Sequence, residues 1–345
     1  MAHLLPSMYR WLTEFEYAKC FFHIEGTFGV GWWGINSMSM DAGESMRKSV
    51  PILLFVVVVM AWGTTWMAMR IAVATVPPIF GTGARFLVAA PILLFIAYVK
   101  RAPLIFPRGH RIFQMVVCVA YFALPFTLMI YGEKYVKSGM AALIFSNMPV
   151  AVFVCSVAFL RERISLHKVV GLALALISLA AILDREVGLG GIGQVYAIGA
   201  LMLAVLMHAV IYTQCKKRSC EISVLTFNAL PCLGASILLL VVGWVVERPC
   251  VLEFSGASLM ALCYLGSVAG VCGILSYFTL QQRTTAFKAS LVFVVFPIVA
   301  LIIEGVMTGR MLSIYSASLI VPLGLGVLLI LIPQNAFAHA ELNLD

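Results

Sequence analysis

Ten stretches of roughly 20 mainly apolar residues each follow one another along this chain, each long enough to cross about 30 Å of hydrocarbon. They occupy residues 50–71, 78–99, 112–131, 138–160, 166–183, 192–212, 224–246, 257–278, 286–306 and 312–333, and groups carrying charge, Pro or Gly separate them. No stretch alternates apolar and polar residues as a barrel strand facing lipid does, and backbone in hydrocarbon must satisfy its own hydrogen bonds, so each reads as a helix. Composition agrees: 62% of residues are hydrophobic and 11% charged, against about 25% charged in a soluble domain. The expected fold is an all-α integral membrane protein of ten transmembrane helices, with the lipid bilayer as its surroundings and no large soluble domain.

The formal charge of +8 does not point to nucleic acid, because Lys and Arg lie in short clusters between the apolar stretches. They act as topology signals. With the N-terminus in the cytoplasm, fourteen of them fall inside, in the groups at 47–48, 100–111, 161–168, 216–218 and 283–288, and six fall outside, at 70, 134, 137, 185, 248 and 310. That imbalance favours both termini in the cytoplasm, with the chain integral to the cytoplasmic membrane. Nine cysteines form no CxxC pair. Cys118, Cys155, Cys232, Cys263 and Cys272 sit in apolar stretches as small hydrophobes, leaving Cys215 and Cys220 as the candidates for a metal or disulfide role.

Residues 1–49 stand apart. They mix Glu14, Glu16, Glu25, Asp41 and Glu44 with Phe21, Phe22, Trp32 and Trp33, and hold neither a spanning stretch nor the apolar core of a signal peptide. Either they form an interfacial amphipathic segment or they precede the mature protein, with Met46-Arg47-Lys48 as its natural start. The remaining boundaries are a first repeat over 50–184, a second over 185–335 and a short cytoplasmic tail over 336–345.

The division into repeats rests on an internal match. At an offset of 148, SGMAALIFSNMPVAVF (138–153) lies over AFKASLVFVVFPIVAL (286–301), so that Ala141, Leu143, Phe145 and Pro149 meet Ala289, Leu291, Phe293 and Pro297. Without a gap, RERIS (161–165) then lies over GRMLS (309–313). Five spans per copy is an odd number, so the second copy enters the membrane upside down. Two inverted repeats rocking about a central site are the architecture of secondary transporters. Pro149 and Pro297 then mark bends that either line a cavity or serve packing.

The stretches AWGTTWMAMRIAVATVPP (61–78), ARFLVAAPILL (84–94) and, above all, YVKSGMAALIFSNMPVAVFVCSVAFLRERISLHKVVGLALALISLAAIL (135–183) resemble the EamA family of the drug/metabolite transporter superfamily, with a fainter echo in KASLVFVVFPIVALI (288–302). The resemblance implies ten helices in two five-helix inverted repeats around a central cavity, and export of amino acids, metabolites or drugs from the bacterial cytoplasm. Three positions depart from the family pattern. Its Gly-Glu after the fourth helix stands here as Arg161 and Glu162, its counterpart in the second half is Gly309 and Arg310, and His208 occupies a position that often carries Trp.

Intramembrane ionisable and polar residues are the natural site candidates. Arg85 lies about 10 Å into the second span at 1.5 Å per residue and can hold a substrate carboxylate, or snorkel and pin helix ends. Glu304 near the outer end of the ninth span can pair with Arg85, take a proton, or sit solvated at the interface. His208 is a relay candidate or a structural histidine. Trp62, Thr65, Tyr121, Asn147, Tyr264, Tyr277 and Gln281 can line a passage or simply pack, with Asn147 favoured by its place two residues before Pro149. The span interiors offer no clear carboxylate relay.

Several classes are disfavoured. No set of polar residues assembles into catalytic machinery, no GxxxxGK[ST] motif for ATP occurs, and neither a filter motif nor a ring of like charges marks a channel. No cofactor or metal is expected. The leading expectation is a secondary transporter exporting a small-molecule solute by alternating access. The alternative is a membrane component without transport, such as a lipid-modifying enzyme or a scaffold.

Overall fold

The computed structural model describes residues 40–160, 165–187, 192–217, 222–284, 289, 291–309 and 312–332. The expectations placed on residues 1–39, on Arg161, Glu162 and Arg163, on Cys220, Lys288 and Arg310, and on the tail at 336–345 lie outside the described residues.

Each of the ten apolar stretches contains a helix among the described residues. The helices are α1 (Met40–Val73), α2 (Pro78–Val99), α3 (Arg111–Gly132), α4 (Ser138–Phe145 continued by Met148–Leu160), α5 (Leu166–Val187), α6 (Ile192–Lys217), α7 (Val224–Glu247), α8 (Gly256–Leu280), α9 (Val292–Thr308) and α10 (Ile314–Leu331). Eight have the length and hydropathy to cross a membrane, and α5 and α9 contribute shorter apolar helices, Leu166–Ile182 and Val292–Thr308. The 17 residues of α9 reach about 26 Å at 1.5 Å per residue, enough with slight local thinning of the bilayer. Large apolar side chains such as Phe95, Ile112, Val246 and Ile314 point outward in full exposure, which is tolerable only where the surroundings are lipid.

Two inverted five-helix repeats build the bundle, and their equivalence reaches the backbone. The middle of α3 widens into a π-helical segment at Cys118–Ala123, and the middle of its counterpart α8 does the same at Leu265–Cys272. These segments begin within one residue of the 148-residue offset read from the α4 and α9 sequences. Such bulges lose the regular i to i−4 bonding and cluster at functional sites; here both supply lining to one cavity.

Equivalent helices also pack against each other across the repeats. α5 and α10 cross where both lack side chains: a Cβ on Gly171 would stand 2.6 Å from the carbonyl oxygen of Gly326, and one on Gly326 would stand 2.6 Å from the amide of Ala175. In lipid no hydrophobic force drives helices together, so small residues that allow backbone contact carry the association.

The shared prolines behave differently in the two copies. α4 breaks at Ser146 and Asn147, and Pro149 sits in the first turn of its second segment, where a missing N–H costs nothing. Pro297 lies inside the continuous α9. The mid-helix bend expected at both positions is therefore an interruption in the first copy and an internal proline in the second.

The bundle has two chemically distinct ends. One gathers Arg70, Glu133, Glu247 and Glu304 and is called the acidic end below. The other carries Lys100, Arg101, Arg108, Lys168 and Arg283 and is called the basic end.

Candidate functional site

At the centre of the bundle, helices from both repeats enclose a cavity of about 1110 Å³, its solvent-open portion included. Aromatic rings form most of its wall in two groups. Trp62 packs on Tyr277 with ring centroids 5.0 Å apart and on Phe293 at 5.7 Å. On the other side Tyr121, Phe126 and Phe145 meet the His208 imidazole edge to face, with centroids 4.8, 5.3 and 5.9 Å away. Rings in these tilted arrangements make a rigid apolar surface with a polar atom only where a hydroxyl or ring nitrogen projects.

Arg85, on α2, is the cation of this cavity and is 4% exposed. Its guanidinium lies over the Phe126 ring, with Cζ 5.0 Å from the centroid, and beside Phe86 at 5.7 Å. One long contact runs from Nη2 to the carbonyl oxygen of Leu265, at 3.5 Å, while Nε and Nη1 are buried without a hydrogen-bond partner. A buried polar nitrogen without an acceptor is costly, and each of these two can join Nη2, whose own contact is long, in a two-pronged hold on a planar anion. The described lining contains no Asp or Glu.

Further polar groups face the same space. His208 places Nδ1 2.8 Å from the carbonyl oxygen of Ala204. A carbonyl only accepts, so Nδ1 carries a proton there, and the ring lines the cavity. The Tyr121 hydroxyl bonds that of Tyr212 at 2.8 Å. Asn228 lines the wall from α7 and donates from Nδ2 to the Val224 carbonyl at 2.7 Å.

The structure thus gathers Trp62, Thr65, Arg85, Tyr121, His208 and Tyr277 of the sequence candidates around one cavity. Others go elsewhere. Tyr264 pairs its hydroxyl with Thr64 of α1. Asn147 sits at the α4 break beside the lining residue Met148; its Nδ2 donates to the Leu143 carbonyl at 3.2 Å and its Oδ1 is buried without a partner. Pro149 and Pro297 are buried next to lining residues without lining the cavity themselves. Gln281 lies on a described helix, but its side chain is outside the described ones.

Glu304 does not meet Arg85. It is 6% exposed at the acidic end, where Oε1 stands 3.6 Å from Arg70 Nη1 and Oε2 accepts the Gly139 amide at 2.7 Å. Beside it lies Glu133, which the sequence did not single out, 2% exposed in the turn that follows α3. Burial holds the Glu133 carboxyl well above the usual carboxylate range. YGEKYVKSG reads as a solvated turn, because Glu133 has lysines one and four residues on and only the third dimension shows that its side chain turns inward. Asn228 and Tyr212 were also missed; Asn228 carries the same signal that marked Asn147, an amide within an apolar stretch.

The acidic end is bonded across the repeats. Glu247 at the end of α7 accepts the amides of Ile79 and Phe80 at the start of α2, at 3.0 and 2.8 Å. Ser258 of α8 donates to the Ile71 carbonyl at 2.8 Å and accepts from Thr75 at 2.8 Å. At the basic end, among the described residues, His167 Nε2 approaches the Ile332 carbonyl at 3.3 Å.

Comparison with known proteins matches this architecture. The profile of the EamA-like transporter family fits the chain twice, over residues 49–184 and 195–332. Protein PagO of Salmonella typhimurium is 53% identical over 290 residues, covering 84% of this chain and 95% of its own. A protein named as an uncharacterized transporter in Buchnera aphidicola subsp. Schizaphis graminum is 47% identical, over 85% of this chain and 98% of its own. A probable amino-acid metabolite efflux pump of Salmonella typhimurium is 26% identical, over 77% and 89%. One crystal structure superposes with a TM-score of 0.60 at 15% identity, covering 82% of this chain and 96% of the other, a likeness of fold alone. Twice-repeated helices, their inverted packing and the double match of the profile together assign the chain: it belongs to the EamA-like transporter family, within the drug/metabolite transporter superfamily, and is an integral membrane transporter.

Proposed function

We propose that the protein is a secondary carrier that exports a small organic anion with an apolar body by alternating access through the central cavity. The observation that carries this reading is Arg85, a buried guanidinium with two unpartnered nitrogens among aromatic rings and no carboxylate in the described lining. A solute carboxylate takes one of these nitrogens together with Nη2 in one planar, charge-assisted contact, while Trp62, Tyr277 and Phe126 cover its apolar body. Asn228, Tyr121 and His208 give the remaining polar contacts their direction. The relative named as a probable amino-acid metabolite efflux pump is consistent with solutes of this size carrying a carboxylate.

Orientation follows from charge. The basic end carries the Lys and Arg clusters and faces the cytoplasm, and the acidic end faces outward. The cavity is then loaded from the basic end while cross-repeat bonds of Glu247, Glu304 and Ser258 hold the outer end, and inversion of the repeats supplies the opposite state.

Flux from vesicles holding the purified chain tests the reading, with a panel of aromatic and aliphatic carboxylates, amino acids, quaternary amines and uncharged solutes. The expected result is flux confined to solutes with a carboxylate, reduced by about tenfold or more in Arg85→Ala, as loss of a charge-assisted contact implies. Equal reduction for cations and anions would return Arg85 to a structural role, and no flux across the panel would remove the carrier reading.

A further inference from the structure

The cavity accounts for Arg85 but leaves the second buried charge cluster without a purpose. Glu133 accepts the Ser138 hydroxyl on Oε2 at 2.9 Å, while its Oε1 is buried with no partner. Glu304, reaching over from α9, holds the Gly139 amide in the first turn of α4 and the Arg70 guanidinium. The Arg70 side chain is 43% exposed. Among the described residues, the further charged groups on the surrounding elements, Lys134 and Lys137 of the same turn and Asp184 and Arg185 at the end of α5, are exposed, and Tyr131, Tyr135, Tyr196 and Tyr315 are not buried. The Arg70 guanidinium thus pairs with Glu304, while Glu133 Oε1 is buried without a hydrogen-bond partner. A buried ion without a partner costs more than taking up a proton, so a group in this position neutralises itself.

We propose that Glu133 and Glu304 form a one-proton binding site that latches α4 to α9 at the acidic end. The proton resides on Glu133, while Glu304 keeps its contacts with Arg70 and the first turn of α4, where the helix dipole also favours negative charge. The raised protonation range of the Glu133 carboxyl fits that division. Gly139 makes the latch close: a Cβ there would stand 2.4 Å from Leu301 Cδ2 and 2.9 Å from Glu304 Oε2. Glu304→Gln removes the charge that pairs with Arg70 and weakens the hold on the Gly139 amide, which loosens the contact between the two helices. As a coupling proton for transport the site rests on the carrier reading; as a proton site and latch it does not.

The test uses the full chain in lipid nanodiscs and no solute. Infrared difference spectra over a pH titration are expected to show the carbonyl stretch of a protonated carboxyl at neutral pH, absent in Glu133→Gln. In Glu304→Gln the band should titrate about one pH unit or more lower, since the neighbouring negative charge is gone. Ser138→Ala keeps both carboxyls and removes the hydrogen bond that favours ionised Glu133, so its band should persist to higher pH; this covers the case in which Glu133→Gln does not fold. Spin labels at Lys137 and Met307, with native cysteines replaced, should lie farther apart in Glu304→Gln than in the wild type. No protonated carboxyl at neutral pH, an unchanged band in Glu133→Gln, or a label separation unchanged by Glu304→Gln would each overturn the proposal. Vesicles that show no flux would count against the carrier reading and leave these results in place.

Discussion

The two places where this protein buries charge are opposites. In the central cavity one guanidinium, Arg85, faces aromatic rings with two nitrogens unpartnered. At the acidic end two buried carboxyls, Glu133 and Glu304, lie together and the partly exposed guanidinium of Arg70 pairs with Glu304. The first has a positive charge in excess and the second a negative one. Burial makes each excess costly, so each is a standing demand for something that arrives and leaves: an anion in one case, a proton in the other. A protein built only for stability would have filled both places with apolar side chains.

Breaking the comparison begins with its largest expected effect. Arg85→Ala should lower affinity for carboxylate solutes by about tenfold to a hundredfold, the loss of hydrogen bonds to a charged group at roughly 1.5–3 kcal/mol. Arg85→Lys should recover only part of this, because an ammonium lacks the planar fork. Solute-induced thermal stabilisation reads both, and loss of uncharged ligands to the same degree would erase the distinction between the two regions. Gly139→Val should destabilise by about 1–3 kcal/mol through overpacking against Leu301, seen as a lower melting temperature in detergent. Solute affinity of the folded fraction should stay put, and a parallel drop would show that rim and cavity are one rigid unit.

Smaller effects sharpen it. Tyr121→Phe removes the bond to Tyr212, worth about 0.5–1.5 kcal/mol net, and should weaken solute binding a few-fold while leaving the pH response of the outer end intact. Glu133→Gln should act on pH dependence alone. Burial raises the folded-state range of this carboxyl, so its contribution to stability is full below the ordinary carboxylate range and is lost as the pH rises through the raised one. Wild type should thus lose melting temperature with rising pH over that window, and Glu133→Gln should lose less.

Much of the fold was legible because hydropathy is a one-dimensional property. Ten apolar stretches became ten helices, and the 148-residue offset read from Pro149 and Pro297 recurs in the π-helical widening of α3 and α8. The break of α4 at Ser146 and Asn147 left its mark only as two polar residues that stand where α9 has Val294 and Val295, and a polar pair in a span does not by itself decide between a break and a packed helix. Arg85 and His208 could be picked out as polar residues in apolar stretches. Glu304 could be picked out too, but its partner could not: the sequence offered Arg85, whereas the contact is with Arg70, a difference that depends on helix rotation.

Sequence by itself determined the solvent, the number of spans and the inverted relation of the two halves, because every backbone group in hydrocarbon must be satisfied within its own helix and an odd number of spans reverses the second copy. Tertiary structure alone decided which faces meet: that Trp62 and Tyr277 share a wall with Arg85, that Glu304 answers to Arg70 and Gly139, and that Glu133 turns inward from a turn rich in lysine. The physical reason is that burial of charge is a property of neighbours from both repeats, and helices without a hydrophobic force between them in lipid settle their rotation only through those close contacts.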